Sequence, residues 1–204
     1  MLKSIARIAT VLACAGVFAT ASLAQTAAQR MRVRGVVESV DGSKLVLKAR
    51  TGETMSVQLS ADWAVSGIVK AALADIKPGA YVGAGAMPQA DGTQKAVQVV
   101  IFPEAMRGTG EGFRPWDFLP ESTMTNATVA ETVQNVSGPA FTLKYKDGSK
   151  VITIPADAAI ITFVPGERAE LKAGAVVALT AEKAADGTMT TSRISVGRDG
   201  ISPN

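Results

Sequence analysis

Residues 106–118, MRGTGEGFRPWDF, place Arg107, Glu111, Arg114 and Asp117 within a dozen positions of one another, beside Trp116. Two kinds of chemistry use such a set. Glu111 and Asp117 could serve a hydrolase or a carbohydrate-acting enzyme if their oxygens stood about 5 to 10 Å apart across an open cleft. Tryptophan and arginine together suit recognition instead, because both are over-represented at binding hot spots. Gly108, Gly110 and Gly112 match neither the dinucleotide fingerprint nor the phosphate-loop spacing. An architectural reading has Phe113, Trp116 and Phe118 filling a groove between two domains, with Arg107 or Arg114 paired to Asp117 or Glu111. These readings overlap, since a clasp that orders two domains can also form one wall of a cleft.

The wider inventory narrows the chemistry. The chain has no histidine and one cysteine, Cys14, which falls in a predicted leader. Thiolate nucleophiles, imidazole bases and the usual zinc sites therefore have no donors. No dense Asp/Asn loop of the calcium type is present, and spacing ties no carboxylate pair to acid–base work. The sequence assigns no catalytic residue, no metal ligand and no cofactor, and it points away from an enzyme.

The first residues read MLKSIARIATVLACAGVFATASLAQ. Lys3 and Arg7 precede an apolar core, Ile8 to Phe18, and Ser22-Leu23-Ala24 forms an acceptable cleavage site. Residues 1–24 are thus predicted to be a signal peptide, giving a periplasmic or secreted product. Val11-Leu12-Ala13-Cys14 loosely resembles a lipobox, so lipoprotein processing at Cys14 is the alternative. The apolar core is shorter than the roughly 20 residues a membrane-spanning helix needs. The longest later apolar run, Val97 to Phe102, is interrupted by Gln98. Lys and Arg number 21 against 18 Asp and Glu, and losing Lys3 and Arg7 leaves the exported chain close to neutral. A nucleic-acid binder needs a clear basic surplus, so no nucleic-acid partner is expected.

The elements that must position the 106–118 segment come in two similar sets. VESVDGSKLVLKARTGE from Val37 aligns with VQNVSGPAFTLKYKDGS from Val133, and LADIKPGAYVG aligns with RAELKAGAVVA. QADGTQKAVQV aligns with AADGTMTTSRI, at a period of about 95 residues. Met55, Val57 and Leu59 alternate with polar neighbours, as do Phe141, Leu143 and Tyr145, the period of half-buried strands. Asp41-Gly42, Asp91-Gly92, Asp147-Gly148 and Asp186-Gly187 are hairpin signals. Val69 to Ile76 reads as a short helix stopped by Lys77-Pro78-Gly79, and Trp63 reads as a core residue. Three strands, a short helix or loop and two more strands are the order of an OB-like barrel. The expected fold is all-β: a tandem duplication of a small five-stranded OB-like barrel, joined by an ordered Gly/Arg/Trp loop. Residues 25–104 would form the first barrel, 105–127 the connecting loop and 128–204 the second barrel.

VRGVVESVDG, LADIKPGAYVG, IFPEAMRGTGEGFRPWD and TMTNATV together resemble a family of small exported bacterial proteins built from OB-like domains of unknown function. The resemblance covers essentially the whole chain after the leader, and Phe102 to Asp117 is its most specific part. Members often carry the label "metal ABC transporter permease", which implies a membrane channel that this sequence does not support. The family has no established catalytic residues, so the resemblance implies a fold and a compartment alone. The functional expectation is a non-enzymatic exported binding or scaffold protein, with an unknown protein or small molecule as partner. Arg107, Glu111, Arg114, Trp116 and Asp117 are the candidate binding residues. The alternative is a hydrolase or carbohydrate-acting enzyme using Glu111 and Asp117.

Overall fold

The computed structural model describes residues 29–135 and 138–203. The predicted leader, with Cys14, lies outside the described residues. Twelve strands follow one another: β1 (Gln29–Asp41), β2 (Lys44–Ala49), β3 (Thr54–Lys70), β4 (Tyr81–Pro88), β5 (Gln94–Ile101), β6 (Gly112–Pro115), β7 (Thr123–Asn135), β8 (Gly138–Tyr145), β9 (Gly148–Thr153), β10 (Ala159–Pro165), β11 (Val176–Lys183) and β12 (Met189–Gly197). Single turns of 3-10 helix at Leu73–Asp75, Glu104–Met106 and Arg168–Glu170 interrupt them. The fold is all-β.

Alternation explains which face of each strand is buried. Val33 and Val37 on β1, Leu45 and Leu47 on β2, and Val57 and Leu59 on β3 point into one core. The strands around that core close on themselves. β1 pairs with β2, β2 with β3, β3 runs parallel to β12, β12 pairs with β11, and β11 returns to β1. The result is a closed five-stranded barrel, which leaves its members no open sheet edge along the paired stretches. A second circuit joins β7, β8, β9, β5 and β4 around Phe141, Leu143, Ile152, Val82 and Val99.

These circuits do not follow the expected boundaries at residues 104 and 128. β4 and β5, from the first half of the chain, complete the circuit of β7–β9. β11 and β12, from the second half, complete the barrel of β1–β3. The reason is visible in β3, which stays extended for 17 residues instead of turning back. Its last part, Ser66–Lys70, pairs antiparallel with Pro165–Ile161 of β10. Each half therefore passes its final strands across this ladder to the other. Two of the parallel registers correspond, running Ala64↔Arg193 to Gly67↔Val196 between β3 and β12, and Ala159↔Gln98 to Thr162↔Ile101 between β10 and β5.

The same ladder overrides the helix expected over Val69 to Ile76. Ile68 and Val69 favour extended backbone and find partners in Phe163 and Thr162. Only Leu73–Asp75 coils, with the Asp75 carboxylate accepting the Ala72 N–H at 2.9 Å. Ile76 then joins the second core and Leu171, after the matching turn, joins the first. Trp63 is half-buried against the first core rather than within it, with the Arg168 guanidinium 4.7 Å from its ring centroid.

The crossover is pinned by charge. Arg198 donates to both Glu170 oxygens at 2.8 Å and to Pro165 O at 3.0 Å. Gly67 leaves room for that guanidinium, since a Cβ there would lie 2.7 Å from its Cζ. The Arg198 hydrogen bonds, helped by the Glu167 N–H, hold the Glu170 carboxyl at about 2 against a usual 4.5. A depressed carboxylate stabilises the fold above its unfolded value and ceases to do so as pH falls through its folded value. Glu170→Gln should therefore melt at lower temperature than the parent at pH 7, and the difference should close between about pH 4.5 and pH 2. The exchange of strands makes a stronger prediction. Residues 25–110 and 111–204, made as separate chains, should each give little sheet signal by circular dichroism, yet copurify and melt together when coexpressed. Independent folding of either half would overturn the exchanged arrangement.

Candidate functional site

The segment from Phe102 to Ser122 is ordered by its own hydrogen bonds. β6 pairs with the start of β7, Gly112↔Asn126 to Pro115↔Thr123, so residues 116–122 form the tip of a hairpin. The Trp116 N–H donates to Ser122 O at 2.8 Å, and buried Ser122 Oγ accepts the Leu119 N–H at 3.0 Å. Glu121 takes up the left-handed backbone that the turn requires, with φ 62°. At the base of the segment, Arg107 is held by Glu104 and donates to Gly79 O at 3.0 Å. Thr109 O accepts from Tyr81 Oη at 3.2 Å and from Asn126 Nδ2 at 2.9 Å. Arg114 donates to Gly110 O at 2.6 Å. These bonds fasten the segment to β4 and β7 of the second circuit.

The hairpin tip reaches the first barrel. Trp116 packs beneath Arg32 of β1, whose Cζ stands 3.7 Å from the ring centroid, with Arg114 at 5.4 Å and Arg34 at 5.7 Å. Asp117 accepts a bidentate pair from Arg34, at 3.1 and 2.9 Å, and lies 3.9 Å from Arg32. The fork geometry makes this stronger than an ordinary surface pair. Arg34 has only 11% of its side chain exposed while Asp117 keeps 54%, so solvent screens one partner much more than the other. Phe118 lies 5.3 Å from the Arg50 guanidinium. The segment thus bridges β7 and β1, which belong to different circuits.

Electrostatics follow from that packing. The Arg34 hydrogen bonds hold the Asp117 carboxyl below the usual carboxylate range. Burial pushes the Arg32 guanidinium down, Asp117 opposes the push, and the Arg114 and Arg34 charges add to it. Burial also lowers Arg114. Guanidinium groups stay charged throughout, so three arginines share Trp116, and two of them, Arg32 and Arg34, share one carboxylate. The local balance is positive, within a chain whose formal net charge is +3.

The structure redistributes the residues that sequence reasoning grouped together. Arg114, Trp116 and Asp117 meet at the tip, whereas Arg107 belongs to the base and pairs with Glu104. The expected pairing of Arg107 or Arg114 with Asp117 or Glu111 is corrected: the partner of Asp117 is Arg34. Glu111 is exposed and enters no ion pair among the described residues. Both Asp117 oxygens are committed to Arg34 and the group is held ionised, a poor starting point for a general acid. Phe113, with 41% exposure beside Lys150, fills no groove. Arg32 and Arg34 went unrecognised, though RMRVR carries the signal: Arg30, Arg32 and Arg34 repeat every second residue, so one face of a strand must present them.

Compared with known proteins, the chain matches no family model, no curated protein and no solved structure. A groove of about 400 Å³ lies beside the hairpin tip, with Val36 and Val176 on its floor and Arg34, Lys48 and Arg50 around it. Gly35 lets β1 and β2 close beneath it, since a Cβ there would run into Lys48 O. An apolar groove of about 570 Å³ lies in the second circuit between Leu73, Ile76, Pro78, Pro139, Phe141 and Ile154. Among the described residues, no helix is long and apolar enough to cross a membrane, and no group of three or more His, Cys, Asp or Glu is placed to hold a metal.

Asp117→Asn should destabilise the fold by about 1 kcal/mol at pH 7 in urea unfolding, a value discounted for the exposure of Asp117. The amides of residues 112–118, which should exchange as slowly as those of the strands, should exchange faster in that variant. Exchange that is already fast in the parent would show that the tip does not hold β1 in solution.

Proposed function

We propose that the protein is an exported, non-enzymatic binding or scaffold module, built from two OB-like barrels of duplicated origin. The hairpin tip and β1 together form its recognition surface for a periplasmic partner. The strand circuit supports the OB-like reading, because it is a five-stranded barrel closed between its third and last members. Duplication is supported by the corresponding parallel registers and by the matched 3-10 turns. In one turn Asp75 accepts the Ala72 N–H, and in the other Glu170 accepts the Glu167 N–H at 2.7 Å. Export is supported by the leader-like residues 1–24.

One observation carries the functional part. Trp116 is held in place by Arg32, Arg34 and Arg114, with Asp117 as the counter-ion of Arg34 and Arg32. Preorganised tryptophan and arginine are what tight interfaces use, and the surplus charge favours an anionic partner. Arg107 anchors the segment rather than contacting the partner. Immobilised protein should capture a periplasmic partner that an Arg114→Ala/Trp116→Ala variant captures at least about tenfold less, with the variant's sheet content unchanged by circular dichroism. Undiminished capture by a folded variant would place recognition elsewhere on the molecule.

A further inference from the structure

β1 and β7 are built alike, but among the described residues only β7 has a full set of neighbours. Along β7, Thr128–Asn135 pairs with β8, and just before that stretch Thr123–Asn126 pairs with β6. Along β1, Gly35–Asp41 pairs with β2, while Gln29–Val36 pairs with β11 on the opposite side. No described strand occupies the remaining edge of Gln29–Val33, the position that β6 fills on β7. The direction of the backbone groups there can be read from neighbouring bonds. The Val37 N–H donates toward β11, to Ala175 O, and Arg34 O accepts the Arg50 N–H on the other side. Alternation along the strand then sends the N–H and C=O of Arg30 and Arg32 to the open edge.

The chemistry around this edge is specific. Arg30, Arg32 and Arg34 stand on one face of β1, with Trp116 stacked on Arg32. Lys48 and Arg50 continue the positive rim around the neighbouring groove. Along β1, Arg34 and Arg32 face Asp117, and Arg30 lies 3.3 Å from Glu182. Two copies of such an edge would repel each other, which argues against self-pairing. A strand carrying carboxylates on one face would instead gain main-chain hydrogen bonds and opposite charges together.

We infer that the open edge of β1 at Gln29–Val33 is a docking site for an extended acidic segment of a partner protein, added as a further strand. The inference rests on the proposed role as a binding module and names the chemistry of what it binds. Fluorescein-labelled Glu-Val-Glu-Val-Glu-Val-Glu serves as the probe, with Lys-Val-Lys-Val-Lys-Val-Lys as the control, against the full chain. The acidic probe should bind saturably and the control should not. Affinity should fall at least about tenfold as salt rises from about 0.05 M to about 0.5 M, and hydrogen exchange should slow at Arg30 and Arg32. Arg30→Pro, which removes an N–H facing the open edge while sparing the β11 ladder, should weaken binding at least about tenfold. Arg30→Ala, which keeps the N–H and removes one charge, should weaken it less than Arg30→Pro does.

Equal binding of both peptides, no binding, or protection confined to other strands would overturn the inference. Because Arg30→Pro could disturb the fold, the exchange footprint on the unaltered chain decides independently. Arg30 and Arg32 amides already protected without peptide would also overturn it. If protection then vanished on removing residues 1–24, the occupant would be the chain itself; if it rose with protein concentration alongside dimer in sedimentation, the occupant would be a second copy. Failure of the probe with capture by the hairpin tip intact rejects the edge alone. Probe binding with tip-dependent capture absent rejects the tip surface instead.

Discussion

The antiparallel ladder between Ser66–Lys70 and Ile161–Pro165 is the constraint on which the rest of the molecule depends. Neither set of three leading strands can close a core alone, because the strands that complete it arrive from the other half across this ladder. Burial of Leu45, Leu47 and Val57 therefore requires Leu179 and Ile194, which lie far along the chain. Non-local closure of this kind carries a loop-closure cost before any core contact compensates it. Once made, it couples the two circuits more firmly than a surface contact between separate domains would. The Arg198–Glu170 pair stands at the point of exchange and ties the end of β12 to the turn that caps the same barrel.

The hairpin over residues 112–126 adds a second tie between the same parts. Its strand β6 belongs to β7, and its tip lies on β1. The tip relies on directional groups: a bidentate Arg34–Asp117 pair and a tryptophan ring against a guanidinium, both of which hold geometry better than apolar contact. In the proposed recognition role, a rigid tip means that ordering costs are met by folding rather than at the moment of binding. Asp117 restrains the positive field without cancelling it, since one carboxylate faces the guanidiniums of Arg34 and Arg32 while Arg114 stands on the same ring.

Much of the local structure was legible in the primary sequence. Period-two alternation in Met55–Leu59 and Phe141–Tyr145 specifies strands, because successive side chains of a strand must face opposite ways. Aspartate–glycine pairs specify turns through their tolerance of left-handed backbone. That residues 106–118 are an ordered connection rather than a flexible linker could be read from composition, since a linker does not need Trp116 and Phe118. Within that segment, Arg114, Trp116 and Asp117 do meet. Their partners could not be read, because Arg32 and Arg34 lie about 80 positions away and nothing local specifies which strand a hairpin tip will reach. The alternating arginines of RMRVR mark a face, but not what covers it.

Strand identity and turn chemistry are properties of neighbours in the chain, set by side-chain alternation and backbone freedom, and the sequence by itself determined them. Which strands share a barrel is a property of distant segments competing for the same hydrogen-bonding edges. Val69 and Lys70 illustrate the difference. As a string they read as the start of a helix before Lys77-Pro78-Gly79, whereas β10 offered them a ladder and held them extended. The assignment of β4–β5 and β11–β12 to opposite cores, the pairing of Asp117 with Arg34 and the open edge of β1 were decided by tertiary structure alone. Each depends on which distant backbone or charge fills a position first, and no periodicity in the sequence encodes that.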